Sequence, residues 1–496
     1  MLEKIKRLGT ETALYGVSTI LGRFLTFLLT PVYTHFLLPG DLGTVAIVFA
    51  YIAFFNVIYA YGMEGAFMKY VSTLEMGNRK QNFTLPLVAV TLTSTLLTGG
   101  IVLNAEGVAN LIGVPERHSA VIPMAGWILL LDAIAVIPFA SLRMEHKARM
   151  FVTIRVASIA LNVALNVVLL IPLKMGVEAI FISGVASSAF SLVLLLPHVL
   201  KNLSFEWVPG LFRALLRFGI PSVPAGLASM MIQVVDRPIM QSLAGDAAVG
   251  VYQANHRLGI FMMLVVSMFD FAWRPFFLSH ASEPDAKNLF ARVLTYFCLL
   301  GATILVVLSL FLADLVTAPI FAGYPILAQP YWVGLGVIPP ILLGYLFLGI
   351  YNNLMAGVYI EKKTSVLPLV TFAGAGVNIG ANYLLIPRFG LMGGAYALLL
   401  AYAVMAATMF VITRRFYPLP VEWGRIGKIA FSAAATLLLW WAVDAGSLHL
   451  LWKGFLLLLF IGSMFASKFF IPSELRFLSG IFRRQAPPPV SGPRDR

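Results

Sequence analysis

Four arginines lie inside long apolar stretches of this sequence, at Arg23, Arg155, Arg237 and Arg257. A charge at the centre of a bilayer costs roughly 2.5–3.5 kcal/mol on insertion scales, so such residues face a bundle interior or a water-filled cavity. A planar guanidinium group suits phosphate and carboxylate because it forms bidentate hydrogen bonds with them. We therefore predict a cationic cavity that admits an anion, with Arg23 and Arg257 as the main contacts and His256 beside Arg257.

The other two arginines also have structural interpretations. Arg237 follows Asp236 toward the outer end of its stretch, where it could form a local ion pair or extend outward. Arg155 lies near the start of its stretch, so its side chain is expected to reach the cytoplasmic surface. Both stay candidate anion contacts, ranked behind Arg23 and Arg257.

Carboxylates are also embedded in the apolar stretches. A buried carboxylate can titrate near neutral pH or help to hold Na⁺, and either property couples transport to an ion gradient. The alternative is that these acids neutralise the arginines, for example Arg23. The candidates for ion coupling are Glu64, Asp132, Asp236 and Asp270, and the first two are the possible partners of Arg23.

The composition excludes a soluble globular protein. Of 496 residues, 59% are hydrophobic and 11% are charged, and the mean hydropathy is +0.88. Crossing a hydrocarbon core of ~30 Å takes about 20 apolar residues. The predicted fold class is an all-α polytopic membrane protein with fourteen spans, at 11–36, 43–67, 84–105, 119–142, 150–172, 176–198, 215–243, 247–273, 290–313, 329–355, 365–386, 391–413, 424–444 and 450–471.

The distribution of Lys and Arg predicts the orientation of the spans. With the N-terminus inside, 27 of the 35 cations fall in cytoplasmic segments, four in outside loops and four within spans. This is a strong positive-inside bias, so both termini are predicted to be cytoplasmic. The start MLEKIKRLGT leads into a span without an A-x-A cleavage site, so no cleaved signal peptide is expected. The +13 charge is spread over many loops, which disfavours nucleic-acid binding.

An internal repeat divides the spans into two halves. Asn162, Asn166, LLIP at 169–172 and Gly176 recur as Asn378, Asn382, LLIP at 384–387 and Gly390. The offset is six spans, an even number, so the halves have the same orientation, which is one of the known transporter plans. The asparagines could pack helices or contact substrate. The predicted organisation is a six-helix lobe at 1–204, a second at 205–416, two appended helices at 417–472 and a disordered cytoplasmic tail at 473–496.

Two features of the repeat suggest moving parts. Glu64 and Asp270 occupy similar cytoplasmic positions in the two halves, with Lys69 and Arg274 shortly after them, so the gate pairs Glu64–Arg274 and Asp270–Lys69 are a hypothesis. Prolines in spans seven and ten predict helix breaks of the kind tolerated where they line a cavity. They are Pro221, Pro224, Pro339 and Pro340.

The sequence contains no catalytic signature. The histidines are scattered, and HExxH, CxxC, GxSxG and a Walker lysine are all absent. The lone Cys298 has no metal or redox signature, and the connecting loops are too short for a folded domain. We therefore predict no catalytic residues, no metal and no cofactor, and expect that an ATP-driven mechanism would need another subunit.

The sequence contains the segments YGMEGAFMKY (61–70), VDRPIM (235–240), LAGDAAVGVYQ (243–253) and DFAWRPF (270–276), together with both Asn…IlePro…Gly turns. In these segments it resembles bacterial polysaccharide transporters, the lipid-linked oligosaccharide flippases of the multidrug/oligosaccharidyl-lipid/polysaccharide exporter superfamily. The resemblance implies a V-shaped, two-lobed bundle with alternating access in the bacterial inner membrane. It implies an undecaprenyl-diphosphate-linked oligosaccharide as substrate, flipped to the outer leaflet for O-antigen or exopolysaccharide synthesis, with membrane lipids, a polymerase and glycosyltransferases as partners.

Other functions stay open at this stage. A lipid II flippase of the same superfamily is one alternative, in which spans thirteen and fourteen would form a groove for the lipid tail. A drug antiporter of the same fold is another, although four arginines disfavour it. An enzyme or a scaffold of polysaccharide assembly belongs to a different class, and short outside loops disfavour the enzyme.

Overall fold

A computed structural model describes Gly16, residues 20–206, 208–319, 323–443 and 449–471, and Glu474. Within these residues the regular elements are helices, and none is a β-strand. The protein is therefore an all-α polytopic membrane protein. The predicted tail at 473–496, apart from Glu474, and the N-terminal segment 1–15 lie outside the described residues.

The first half of the repeat contains nine helices among the described residues. They are α1 (20–27), α2 (Leu29–Phe36), α3 (Pro39–Ala60), α4 (Met63–Thr73), α5 (Arg79–Leu103), α6 (Ala105–Leu111), α7 (Val121–Met144), α8 (Ala148–Leu170) and α9 (Val177–Asn202). A short 3₁₀ turn, Glu116–His118, precedes α7. Helices α5, α7, α8 and α9 pack side by side, and α3 packs on α7.

The second half and the C-terminal part contain eleven more described helices. They are α10 (Leu211–Gly219), α11 (Val223–Val234), α12 (Asp236–Ala244), α13 (Asp246–His256), α14 (Ile260–His280), α15 (Ala286–Thr317), α16 (Ile338–Ile360), α17 (Val366–Phe389), α18 (Leu391–Thr413), α19 (Trp423–Ala442) and α20 (His449–Ala466). The 3₁₀ segments are Ile220–Ser222, Arg257–Gly259 and Gln329–Val337. Helix α18 packs on α16 and α17.

Twelve helices in the described part of the chain are long and apolar enough to cross a membrane. They coincide with predicted spans two to twelve and fourteen. Span one is helical at 20–36 except around Leu28, and span thirteen is the 20-residue helix α19, so the total of fourteen stays a prediction. Large apolar side chains such as Leu92 and Leu96, 62% and 77% exposed one turn apart on α5, face outward as expected for lipid contact.

The prolines act at helix ends. Pro221 and Pro224 lie where span seven divides into α10, a 3₁₀ turn and α11, as predicted. Pro339 and Pro340 lie where span ten changes from the 3₁₀ segment Gln329–Val337 to α16, as predicted, and they stand in the first turn of that helix. Proline is tolerated there since the first backbone N–H groups of a helix have no intrahelical partner.

The repeat is visible in the backbone at its two matched glycines. Gly176 precedes α9 with φ +66° and ψ −138°, and Gly390 precedes α18 with φ +54° and ψ −127°. This region is open to glycine and strained for other residues. Both halves therefore make the same turn between corresponding helices.

The repeated asparagines also make the same contacts. Asn166 Nδ2 donates to the Asn162 carbonyl at 2.9 Å, and Asn382 Nδ2 donates to the Asn378 carbonyl at 2.8 Å. In the first half, Asn166 also accepts a hydrogen bond from Tyr33 on α2 at 3.0 Å. These contacts show the packing role that the i, i+4 spacing allows.

The two halves touch through glycines at both ends. A Cβ atom at Gly43 on α3 would collide with the Asp246 carbonyl, and one at Gly250 on α13 would collide with the Pro39 carbonyl. A Cβ atom at Gly62 would likewise collide with the Gly219 carbonyl. The Gly43 and Gly250 contacts lie at the predicted outer end and the Gly62 contact at the predicted cytoplasmic end, so glycine permits a close backbone approach at each.

The described residues form two compact units. Those within Met1–Ala286 and Ala313–Pro418 form the first, and those within Lys287–Leu312 and Leu419–Arg496 form the second. In the second unit α19 packs on α20, and Arg425 pairs with Glu474 at 3.0 Å and with Glu422 at 3.1 Å. The predicted boundaries at 204, 416 and 472 stay a prediction.

We expect Gly176→Ala and Gly390→Ala each to lower the unfolding temperature of the detergent-purified protein. A residue forced into this backbone region costs about 1–3 kcal/mol. Gly380→Ala is the matched control because Gly380 lies within α17 and its Cβ would meet nothing within 4 Å. An unfolding temperature for Gly390→Ala equal to or above that of the control would contradict the strained turn.

Candidate functional site

Three of the four arginines line one cavity of about 510 Å³ in the first unit. Arg23 comes from α1, Arg155 from α8 and Arg257 from the 3₁₀ turn after α13. We call this space the arginine compartment. Apart from these cations and His256, its walls are mostly apolar, and they include Phe27, Phe151, Ile159, Ile260 and Met263.

Arg23 reaches from the first half of the repeat to the second. Its Nη1 donates to Ser267 Oγ on α14 at 2.9 Å. Neither acid considered as its partner pairs with it: Glu64 binds Arg143, and Asp132 accepts a hydrogen bond from Ser188. A neutral hydroxyl leaves the positive charge of Arg23 uncompensated by this contact, which keeps it available to an anion.

Arg257 lies where a membrane-spanning segment changes its helical form. Helix α13 ends at His256, a 3₁₀ turn covers Arg257–Gly259, and α14 begins at Ile260. Gly259 packs so closely that a Cβ there would lie 2.7 Å from Ile341 Cγ2. The Arg257 guanidinium lies 5.0 Å from the ring centre of Tyr33, a cation–π contact across the two halves.

Arg155 lies in the cavity, whereas the sequence favoured a side chain that reaches the cytoplasmic surface. Its guanidinium lies 4.5 Å from the ring centre of Phe139 on α7. This cation–π contact turns the side chain toward the bundle interior. Arg155 therefore lines the same cavity as Arg23 and Arg257.

Arg237 is held by its neighbours in the second half. Its Nε donates to Gln253 Oε1 at 2.8 Å, its Nη1 donates to the Gln233 carbonyl at 2.6 Å, and it lies 3.5 Å from the Asp236 carboxylate. The adjacent pair can meet because Asp236 is the first residue of α12, just after the break that follows α11. Arg237 and Arg257 both line a smaller cavity of about 180 Å³.

His256 stands at the edge of the arginine compartment between two tyrosines. Its Nε2 lies 3.4 Å from Tyr345 Oη, and its ring centre lies 5.6 Å from that of Tyr252. His256 and Tyr345 line the compartment together. His256 and Arg257 therefore lie together at the cavity.

A second cavity of about 540 Å³ adjoins the arginine compartment. The two share Thr26, Arg155, Ile159 and Arg257 in their walls. We call the second cavity the serine compartment. Besides Thr26, Tyr33 and the two shared arginines, its polar lining comes from α7, α8 and α9 and includes Asp132, Ser158, Asn162, Ser187, Ser188 and Ser191.

The acids and cations of the predicted gate pairs have other partners in this structure. Glu64 binds Arg143 rather than Arg274, since α4 packs against α7 in the same half. Asp270 pairs with Arg274 on its own helix at 3.1 Å, because i, i+4 residues share a helix face. Lys69 pairs with Glu75 at 3.4 Å.

Lys69 nevertheless contacts the other half. Its Nζ lies 5.0 Å from the ring centre of Phe218 on α10, beside the Gly62–Gly219 approach. The predicted cytoplasmic end is therefore joined by a cation–π contact and by backbone packing. The roles of Glu64, Asp270, Lys69 and Arg274 in gating stay a prediction.

Sequence reasoning missed the serine compartment. Its hydroxyls were visible as Ser187 and Ser191, which are one helical turn apart, with Ser188 between them. Serine is also common at helix interfaces in membranes, so the pattern alone does not distinguish packing from a cavity wall. The sequence around Ser267 and Tyr345 has no distinctive spacing that would predict their contacts with Arg23 and His256.

Comparisons with known proteins find a matching family and solved structures of similar fold. A family model described as "Polysaccharide biosynthesis protein" matches residues 32–322. The structure is similar to the lipid II flippase MurJ in an inward closed conformation, with a TM-score of 0.70 and 15% identity over 95% of this chain and 99% of that chain. No curated protein sequence matches the chain.

The fold is also similar to a multidrug resistance MATE family transporter of the MOP superfamily. Its inward-facing structure has a TM-score of 0.65 and 14% identity over 82% of this chain and 96% of that chain. Its outward-facing structure has a TM-score of 0.60 and 13% identity over 85% and 96%. At these identities the similarity shows a shared fold.

The positive charge of the cavity is measurable through a single cysteine. In a Cys298→Ser background, we expect Thr26→Cys to react faster with an anionic than with a cationic methanethiosulfonate reagent, by roughly 10-fold after correction for intrinsic reactivity. The preference should shrink at high salt and in Arg257→Ala. Ser279→Cys, which is exposed outside the cavity lining, is the control. If the anionic and cationic reagents react with Thr26→Cys at equal corrected rates, as expected for Ser279→Cys, the result would exclude a cationic cavity.

The observed pairing of Glu64 predicts a specific charge rescue. We expect Glu64→Arg to lower the unfolding temperature because it places two arginines together at α4 and α7. Adding Arg143→Glu should restore most of the loss, and adding Arg274→Glu should not. Rescue by the Arg274 change would instead support the pair that the sequence suggested.

Proposed function

Because the chain belongs to the polysaccharide biosynthesis protein family, we propose that it is a flippase for an undecaprenyl-diphosphate-linked oligosaccharide. It moves this lipid from the cytoplasmic to the outer leaflet of the bacterial inner membrane for the synthesis of cell-surface polysaccharide. The observation that carries the proposal is the cavity lined by Arg23, Arg155 and Arg257. Such a cavity suits a diphosphate.

The electrostatics favour a diphosphate over a cationic drug. Three guanidinium groups share one compartment whose walls are otherwise largely apolar. In such surroundings charges interact more strongly than in bulk water, so cations are repelled and a multivalent anion is attracted. Charge-assisted hydrogen bonds from arginine to phosphate add affinity and orientation. The apolar wall beside them fits the first isoprene units of a lipid carrier.

The contacts between the halves support alternating access as the mechanism. The Gly43–Asp246 and Gly250–Pro39 approaches close the predicted outer end, together with Tyr331, whose hydroxyl donates to the Leu37 carbonyl at 2.8 Å. The Gly62–Gly219 approach closes the predicted inner end. The substrate crosses when one contact opens while the other stays closed. The similar MATE fold occurs in both inward-facing and outward-facing forms.

Ion coupling is assigned to Asp236. This carboxylate is 1% exposed and lies beside Arg237. Burying a charge is costly, so its protonation or the binding of a cation alters the balance of charge in α12. The protein acts as a transporter rather than an enzyme, and it receives its substrate from membrane glycosyltransferases and delivers it to a polymerase.

The test is a leaflet assay in proteoliposomes with a fluorescently labelled undecaprenyl-diphosphate oligosaccharide. Hydrogen bonds to charged groups contribute about 1.5–3 kcal/mol, so we expect Arg257→Ala and Arg23→Ala each to slow flipping about 10- to 100-fold. Arg149→Ala is the control, since Arg149 is exposed and absent from the lining of the cavity. Unchanged flipping in the Arg23→Ala, Arg257→Ala double variant would overturn the proposal.

The same vesicles test the coupling. With an imposed H⁺ or Na⁺ gradient, the wild-type rate should rise, and Asp236→Asn should flip at a rate independent of the gradient. A gradient response that survives in Asp236→Asn would remove this residue from the coupling mechanism and leave the flippase proposal intact.

A further inference from the structure

The serine compartment contains three hydrogen-bonded pairs of polar side chains that anion binding does not require. Ser188 donates to Asp132 at 2.7 Å, Ser191 donates to Ser158 at 2.7 Å, and Asn162 donates to Ser187 at 3.3 Å. These groups line a cavity of about 540 Å³. A cavity of this size is typical of a small-molecule site, for which the common range is ≈ 300–1,000 Å³.

The chemistry of this lining differs from that of the arginine compartment. Asp132 is an acceptor of hydrogen bonds when ionised, and serine hydroxyls both donate and accept. A carboxylate repels a diphosphate, whereas it accepts hydrogen bonds from neighbouring hydroxyl groups of a sugar ring. Tyr33 and Phe49 add aromatic surface to the same walls, suited to the apolar face of such a ring.

The arrangement of the two compartments indicates the order of chemical groups in a ligand that would fill both. Arg155 and Arg257 line both cavities, so an anionic group beside them lies at the junction. On one side are the apolar walls of the arginine compartment, and on the other are the hydroxyl, amide and carboxylate groups. A molecule with a lipid, a diphosphate and a sugar in sequence matches this order.

We propose that the serine compartment is the subsite for the sugar residues attached to the diphosphate, with Asp132 and Ser188 as its main hydrogen-bonding groups. The proposal rests on the flippase function above and names the part of the substrate that the first half of the repeat recognises. Asp132 then acts in substrate recognition rather than in ion coupling. The volume of the serine compartment fits the first one or two sugars, and the rest of the glycan extends beyond this cavity.

The experiment compares two ligands in lipid nanodiscs by thermophoresis. One is undecaprenyl diphosphate without sugar, and the other is the undecaprenyl-diphosphate oligosaccharide extracted from cells that express the protein. We expect the wild type to bind the oligosaccharide form more tightly. Asp132→Asn should weaken that form about 10-fold without weakening the sugar-free form, since loss of a carboxylate does not disfavour a diphosphate, and Ser188→Ala should do the same to a smaller extent.

Two further variants serve as references. Arg257→Ala should weaken both ligands, because it acts on the diphosphate. Ser183→Ala should change neither, since Ser183 is on the same helix as Ser188 but donates to the Ala179 carbonyl and is absent from the lining. Ser188→Ala removes one hydroxyl group, so it tests the proposal even if Asp132→Asn does not fold.

The outcomes separate the two claims. Equal weakening of both ligands by Asp132→Asn and Ser188→Ala, or equal wild-type affinity for both, would overturn the sugar subsite and leave the flippase function standing. A wild type that binds neither ligand would overturn the proposed function itself. A loss of ion coupling in Asp132→Asn with an unchanged preference for the oligosaccharide would assign Asp132 to coupling instead.

Discussion

A guanidinium group inside a membrane protein needs water, an anion or polar partners around it, because hydrocarbon offers none of these. Arg23, Arg155 and Arg257 meet this requirement together, since all three line the arginine compartment. The contacts that hold them are a serine hydroxyl and two aromatic rings rather than carboxylates. These groups orient the cations without cancelling their charge, so the helices around them must enclose a cavity.

The helical breaks near the cavity follow from the same requirement. A regular helix from α13 through α14 would satisfy its backbone but would place Arg257 differently from the 3₁₀ turn that contains it. Irregular backbone is tolerated at membrane depth where it is buried in protein or lines a wet space. Small residues allow the neighbouring helices to approach, as Gly259 does against Ile341. The site is thus assembled from local irregularities within otherwise regular spans.

Much of the fold could be predicted from the sequence because a membrane imposes simple rules. The length of apolar stretches located the helices, the family suggested by the resemblance is confirmed, and the matched turns at Gly176 and Gly390 share one backbone conformation. Side-chain partners were harder to predict. Arg155 contacts Phe139 and lines the cavity, and Glu64 pairs with Arg143 rather than with Arg274, and neither partner was predicted.

The partners that were not predicted have a common physical cause. Spacing along one helix predicts which residues share a face, but the rotation of that helix against its neighbours depends on packing across the whole bundle. The serine compartment was overlooked for the same reason, because its hydroxyls face a cavity that exists only once α7, α8 and α9 are assembled.

The most direct test of the central claim is a cryo-electron microscopy structure of the protein in nanodiscs with undecaprenyl diphosphate bound. The account predicts density for the diphosphate at the junction of the two compartments, with phosphate oxygens about 2.7–2.9 Å from the guanidinium nitrogens of Arg257 and Arg155. Diphosphate density elsewhere, with these arginines in contact only with protein and water, would contradict it.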